Sequence, residues 1–535
     1  MARDLLIGLD AGTSMIKAVA FDLAGRQLAA AATPNAYRRD PGGRIVEQDL
    51  EETWERTART LGQLAEALPD LAGRTAALGV TGQGDGTWLI DAAGRPVAPA
   101  WLWLDTRAAP VVEELAASGA RAALGRLTGC GLNASNQSGQ LVWLKRHRPE
   151  LLERAATAFH CKDWLYFRMT GRRATDPTEG VFTFGDWRRR GYAAEALALL
   201  GLEAERRLLP EILDGTRAHD PLAAEAAAAL GLPAGTPVVL GYVDVICSAL
   251  GGGLHAPEGR AAVSLLGSTG MHMTLGPSEA IRPAEPANGY LMAFPVPGRT
   301  AQMQSNMAGT LNIDWLVGLV GEAAALAGGA EPATPELLAA LDGRVLAARP
   351  GAALYHPYID RAGERGPFFD ARARAQFFGL SNAVGLGELA RTVYEGLCFA
   401  ARDCYDAMSC RPDEVRVAGG GARSRALRGL LASVLGLPVR ESLREEQGAA
   451  GVAMIAGVAV GALADMDEAC RRWVEPALGE RLLPDPALAA RYDGLYALYR
   501  ELRAAAPPHW AALAALDAAP ENRQEARSAA KEAAS

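Results

Sequence analysis

Two short apolar runs that each break into a turn of glycine and hydroxyl residues constrain this chain more than any other feature. Leu5-Leu6-Ile7-Gly8-Leu9-Asp10 ends in a carboxylate and passes into Ala11-Gly12-Thr13-Ser14, and Ala261 to Leu266 ends in Gly267-Ser268-Thr269-Gly270. An almost wholly apolar run of this length predicts a strand covered on both faces. Ile16 to Asp22, followed by Ala24-Gly25-Arg26, makes the first run one arm of a hairpin. Helical spacing over Glu51 to Leu68, a strand over Ala76 to Thr81 and a turn at Gly94 continue the alternation, so the chain reads as α/β. Later, a strand over Thr236 to Tyr242 and a small-residue helix over Val245 to Leu254 lead into the second apolar run. Its place near mid-chain suggests two halves on related plans, although glycine with serine or threonine is turn chemistry in its own right.

A length of 535 residues suits two to four domains. With 54 Lys plus Arg against 62 Asp plus Glu, the net charge of −8 provides no general attraction to a phosphate polymer, so no nucleic-acid partner is expected. Seven cysteines, odd in number and scattered from Cys130 to Cys470, read as reduced thiols of a cytoplasmic protein. Met1-Ala2-Arg3-Asp4 lacks the uncharged core of an export signal. The most apolar window, Gly448 to Ala464, is short of the roughly 20 residues that span a bilayer. It is expected as a buried, closely packed helix, with no membrane partner. Residues 501–535 read as an Ala-rich charged tail, frayed or disordered from about Pro507 onward.

Several segments carry candidate chemistry. Asp10-Ala11-Gly12-Thr13-Ser14 with Lys17 offers backbone N–H groups, two hydroxyls and a cation beside a carboxylate, a set suited to phosphates and a hydrated Mg²⁺. Gly419-Gly420-Gly421-Ala422-Arg423-Ser424, between a strand at Glu414 to Ala418 and a helix at Ala426 to Leu435, is a third place where backbone can approach a ligand closely. These loops match neither the Walker A nor the Rossmann spacing. Asp244 ends a strand at the start of a helix, where it can serve as a base or simply as a helix cap. Trp101 to Arg107 alternates, which as a strand would set Trp101, Trp103, Asp105 and Arg107 on one face as a polyol or sugar platform, with Gln83 and Asp85 nearby. Core tryptophans beside an ion pair are the plainer reading of that stretch. Asp176-Pro177-Thr178-Glu179 reads as a helix start with no chemistry assigned, and His160 and His272 as structural imidazoles.

In order and spacing, Gly8 to Ser14, Trp103-Leu104-Asp105-Thr106-Arg107, Lys162-Asp163-Trp164 with Thr175-Asp176, Asp244, Gly267 to Gly270 and Gly419 to Ser424 resemble the FGGY family of carbohydrate kinases. The resemblance covers the chain to about residue 500. It implies an actin-like ATPase fold of two ribonuclease-H-like domains, each with a five-stranded mixed sheet, and ATP with Mg²⁺ in the cleft between them. The expected division is 1–255 for polyol and phosphate, 256–500 for nucleotide, then the tail. The same resemblance implies that Asp10 and Asp244 hold the metal, and that Gly12, Thr13, Ser14 and Lys17 meet the terminal phosphates. It gives Gly267, Ser268, Thr269 and Gly270 as the second phosphate loop, and Gly420, Gly421, Ala422 and Ser424 as the adenosine pocket. Asp244 becomes the general base, and Gln83, Asp85, Trp103, Asp105, Arg107, Tyr242 and Asp244 face a small polyol. Gly84-Asp85 and Asp244-Val245 stand where glycerol-specific members carry Arg-Glu and Asp-Gln. Gly82 to Gly86, Ala100 to Asp105, Phe159 to Tyr166 and Gly267 to Met273 look like the branch acting on erythritol, implying conversion to erythritol 4-phosphate. A pentulose, a pentitol or glycerol is the alternative acceptor, and an actin-like structural or switch ATPase the alternative of another class. Self-association into a homo-oligomer is left open.

Overall fold

The computed structural model describes residues 3–284, 288–328 and 334–518. Two central sheets organise it. The first contains β1 (Leu5–Ala11), β2 (Met15–Asp22), β3 (Gln27–Pro34), β4 (Thr75–Gly82), β5 (Asp220–Pro221) and β6 (Pro237–Leu240), in the order β5-β6-β4-β1-β2-β3. The second contains β7 (Ala261–Leu266), β8 (Gly270–Pro277), β9 (Tyr290–Ala293), β10 (Arg299–Asn306), β11 (Glu414–Ala418), β12 (Val439–Ser442) and β13 (Leu478–Leu482), in the order β9-β10-β8-β7-β11-β12-β13.

The same plan underlies both sheets. In each, an antiparallel meander (β1-β2-β3, then β7-β8-β10) is extended from its first strand by two parallel strands (β4 and β6, then β11 and β12). These are the five-stranded mixed cores expected of two related halves. Short edge strands β5, β9 and β13 enlarge them to six and seven.

Alternating residues of β1 serve two cores, which is why the strand tolerates almost no polar residue. Leu5, Ile7 and Leu9 pack beneath α1 (Leu50–Ala67), whose first turn is capped by Asp49 accepting from Glu52 N–H at 2.9 Å. Leu6 joins the other core with α4 (Asp244–Gly251) and α7 (Gln447–Ala459). Four further helices frame the site: α2 (Cys161–Thr170), α3 (Pro177–Phe184), α5 (Leu386–Asp406) and α6 (Arg425–Leu435). Although α7 follows the second sheet in the chain, it lies on β1 and β4 of the first, so closely that a Cβ on Gly8 would fall 1.9 Å from the Ala449 carbonyl oxygen.

Three expectations change. The apolar helix stops at Ala459, well before Ala464, and turns at Gly461 with φ +72°. Trp101 to Arg107 is not a strand: only Ala100–Trp101 pairs, and a turn follows at Trp103-Leu104, so the platform of alternating side chains does not form. The tail is folded through α8 (Pro507–Ala518), because Trp510 is buried against Tyr358 and Phe368 and anchors the segment. Residues 519–535 lie outside the described residues. Among the described residues, no helix is long and apolar enough to cross a membrane.

Candidate active site

The first turn is built by a closed set of side-chain amides. Asn35 donates to the Gly12 carbonyl at 2.9 Å, Gln48 donates to Asn35 Oδ1 at 2.8 Å, and Gln83 donates to Gln48 Oε1 at 2.8 Å. Thr13 donates its hydroxyl to Gln83 Oε1 at 3.0 Å and accepts from Trp103 Nε1 at 2.9 Å. Asn35 N–H donates to the Ser14 carbonyl at 2.8 Å. The loop between β1 and β2 is therefore held from below by partners on three other segments, a preorganised backbone cradle of the kind that receives phosphate oxygens. Gln83 is buried, with both amide atoms committed to this support. The half-exposed Trp103 braces the same turn.

Asp10 leaves β1 at the floor of the cleft. Its carboxylate lies against the first turn of α7, where a Cβ on Gly448 would be 2.2 Å from Oδ2, so only glycine leaves room for the acid. Burial pushes Asp10 up to about 6; Lys17 opposes this and Glu446 adds to it. Lys17 itself pairs with Glu446 at 2.8 Å, tying β2 to the residue that precedes α7. Asp244 opens α4 and accepts from Val245 N–H at 2.7 Å. Burial, then the neighbouring Asp10 charge, pushes it up to about 8. The Asp10 charge thus bears on Asp244, and a divalent cation held by the two carboxylates would offset both their desolvation and their mutual repulsion.

The second turn mirrors the first. Gly267 N–H donates to the Thr269 carbonyl at 3.0 Å, while Gly309 and Thr310 N–H groups donate to the Ser268 and Gly267 carbonyls at 2.6 and 2.8 Å. Gly419 takes φ +87° beside Leu266, and a Cβ on Gly420 would meet nothing within 4 Å, leaving open space above the loop. A cleft of about 750 Å³ joins these parts: Asp10 and Lys17 from the first half, with Gly267, Thr269, Gly420 and Ala422 from the second. That volume is in the range of small-molecule sites. Ser424 is absorbed locally, capping α6 through Leu427 N–H at 3.0 Å and donating to Asp342 at 2.7 Å. Gly270 borders a separate cavity of about 30 Å³ with His272 and Asn306.

Asp85, whose charge also bears on Asp244, is held at φ +57°, a left-handed conformation rare outside glycine. Asn136 donates to its Oδ1 at 2.8 Å, and burial outweighs this contact, pushing Asp85 up to about 6. Its N–H donates to Glu179 at 3.2 Å. Tyr242, by contrast, is fully buried with its hydroxyl on Asp214 at 3.0 Å. Asp105 accepts from Val46 N–H at 2.8 Å and from Arg107 at 2.7 Å, while Arg107 also pairs with Glu47 and stacks 3.4 Å over Trp101. These three residues are joined to protein partners rather than set out toward the cleft. Asn136 and Glu179 were missed by sequence reasoning; the helix-start pattern Asp176 to Glu179 was the available signal for the second.

A model described as the FGGY family of carbohydrate kinases, N-terminal domain, matches residues 5–251, and its C-terminal counterpart matches residues 262–460. Over 515 residues the chain is 51% identical to the erythritol kinase of Brucella abortus, spanning 96% of this chain and 98% of that one. It is 31% identical over 439 residues to the xylulose kinase of Escherichia coli, spanning 81% and 85% of the two chains. The crystal structure of xylulose kinase from Rhodospirillum rubrum, 28% identical, superposes with a TM-score of 0.84 over 95% of this chain and 99% of that one.

Proposed function

The chain belongs to the FGGY family of carbohydrate kinases, with the actin-like ATPase fold of two ribonuclease-H-like halves, and from that premise we propose that it phosphorylates erythritol to erythritol 4-phosphate. The observation that carries the choice of acceptor is the 51% identity to an erythritol kinase along almost the full length of both chains. ATP is the phosphoryl donor. We assign its phosphates to the two turns at Gly12 to Ser14 and Gly267 to Gly270, with Lys17 beside them, and its adenosine to the loop at Gly420 to Ala422, with Ser424 holding that loop's helix in place.

Phosphoryl transfer demands alignment and neutralisation of charge rather than covalent chemistry from the protein. In this reading Asp244 takes the proton from the attacking hydroxyl, while Asp85 orients the polyol and Gln83 and Trp103 keep the Thr13 turn in place. Asp10 and Asp244 would hold Mg²⁺, which when bound supplies charge neutralisation at the phosphate oxygens. The weakened acidity of both carboxyls, raised to about 6 and about 8, and the engagement of Lys17 by Glu446 support that fit. We further assign residues 1–255 and 256–500 as the two working halves. An actin-like filament or switch protein has no observation in its favour.

A coupled ADP-release assay over erythritol, glycerol, xylulose, ribulose and xylitol tests the acceptor. Erythritol is expected to stimulate turnover most, and stimulation chiefly by xylulose would move the chain to the pentulose branch. Asp85→Ala is expected to raise the erythritol KM about tenfold or more with the ATP KM unchanged, as for loss of a buried polar contact; an unaltered erythritol KM would take Asp85 off the substrate list.

The pH profile follows from the sign of the Asp244 shift. Between about 6, where Asp10 and Asp85 also titrate, and 8, the Asp244 carboxyl of the metal-free enzyme is predominantly protonated and cannot accept a proton. So kcat/KM for ATP, which reports the enzyme before nucleotide and its metal bind, should climb with unit slope over that interval and level off above it. Asp10→Asn removes the neighbouring negative charge, so the bend in the residual activity should move to lower pH. A flat profile from pH 6 to 9 would contradict the role given to Asp244.

A further inference from the structure

The helix start at Asp176 to Glu179 does more than begin α3. Thr178 Oγ1 accepts from Val243 N–H at 3.1 Å, one residue before Asp244, and Glu179 accepts from Asp85 N–H at 3.2 Å. The two segments lie side by side: a Cβ on Gly84 would fall 2.5 Å from Val243 Cγ2 and 2.9 Å from Glu179 Oε1. One helical turn thus grips both the loop that presents Asp85 and the backbone that enters Asp244.

That turn is anchored by a buried network of charged side chains. Asp176 accepts from Thr178 and Glu179 N–H groups at 2.7 and 3.3 Å, and from the Thr178 hydroxyl. Its other bond is to Lys162 at 2.7 Å, which also pairs with Asp163 at 2.6 Å. Asp163 holds His160 Nδ1 at 3.0 Å, and His160 Nε2 stands 3.3 Å from Glu179 Oε2 with no aligned hydrogen bond. Lys162, Asp163, Asp176 and Glu179 are fully buried, and His160 nearly so. Burying such a set costs more in lost hydration than a comparable apolar packing, so stability alone does not account for it. Burial also keeps the Glu179 carboxyl well above the usual carboxylate range.

We infer that the first turn of α3 is a positioning strut for the acceptor, in which Glu179 fixes the backbone of Asp85 and Thr178 fixes the backbone of Asp244, setting the spacing between polyol and base. Neither residue is catalytic; each acts through the segment it holds. The inference rests on the roles proposed above for Asp85 and Asp244, and it predicts that the two ends of the strut fail differently.

Glu179→Met, which removes the acceptor with little change of volume, should raise the erythritol KM roughly tenfold with kcat and the ATP KM held, and Glu179→Gln should restore it. Thr178→Val should lower kcat roughly tenfold with a smaller change in KM, and Thr178→Ser should restore it. Glu179→Asp keeps the buried acid but withdraws it from the Asp85 N–H, and gives the same KM rise should the methionine variant fail to fold. Amide hydrogen exchange supplies a readout independent of the substrate: Glu179→Met or Glu179→Asp should accelerate exchange around Asp85 and Thr178→Val around Val243, each sparing the other segment. If kcat and KM fall away in parallel in both variants, or exchange rises equally at both segments, the side chains only stabilise the fold and the strut is wrong. Should the parent enzyme phosphorylate no polyol, the proposed function fails, and segment-specific exchange still decides for or against the strut.

Discussion

Asp244→Asn is expected to fold, to bind metal-free ATP as the parent does, and to transfer the phosphoryl group about 10²- to 10⁴-fold more slowly. The amide retains an oxygen for the Val245 N–H and loses the capacity to take a proton, together with the negative charge that would help Asp10 hold Mg²⁺. A second signature separates loss of a base from loss of structure. In the folded protein Asp244 is raised to about 8, far above the usual carboxyl, so the parent binds a proton more tightly folded than unfolded. Its contribution to stability is therefore present at acid pH and is lost as pH rises from about 4 towards 8. Asparagine carries no such penalty, and the variant should gain in Tm relative to the parent across that window. Turnover within about threefold of the parent would place the base elsewhere.

Gly451→Ala should produce the largest loss of stability of any single methyl added to the chain's small-residue helix. A Cβ at this position would fall 1.9 Å from the Cys247 carbonyl oxygen and 2.7 Å from its carbon, both backbone atoms of α4. Neither helix can retreat. A Cβ on Gly251 would fall 2.2 Å from the Gln447 carbonyl oxygen from the other direction, one on Gly8 of β1 would meet Ala449, and one on Gly79 of β4 would fall 2.5 Å from the Val452 carbonyl oxygen. The cost should be about 3 kcal/mol or more, the upper range of overpacking, and Tm should fall by about 3 to 6 °C, the smaller value if all 535 residues unfold together and the larger if one half does. Gly429→Ala in α6 is the control: nothing lies within 4 Å of its added methyl, and the helix propensity of alanine should leave Tm unchanged or slightly higher. Equal melting of Gly451→Ala and the parent would mean that α7 is not wedged as described. Activity should fall with stability in the first variant, because the same helix places Gly448 against Asp10.

Much of the architecture was readable in one dimension because it depends on neighbours along the chain. The apolar runs before Asp10 and Gly267, the hairpins behind them and the glycine loop at Gly419 require only local backbone geometry, and each stands where the residues predict it. Asp176 likewise caps its helix as its pattern indicates. Longer-range features went differently. The alternation from Trp101 to Arg107 is real, yet Asp105 and Arg107 satisfy one another and Val46, so the segment turns instead of extending. The Ala-rich tail looked too polar to fold, but one tryptophan finds an aromatic pocket at Tyr358 and Phe368.

What the order of amino acids determined alone was the repeated frame and the acids at its strand ends, since strand, turn and helix preferences act over a few residues. What only the tertiary structure decided was who neutralises or orients each charge: Glu446 for Lys17, 429 residues away; Asn136 and Glu179 for Asp85; Lys162 for Asp176. Hydration and Coulomb energies depend on distance through space, and a chain folded back on itself brings together groups whose separation in sequence carries no trace of that meeting.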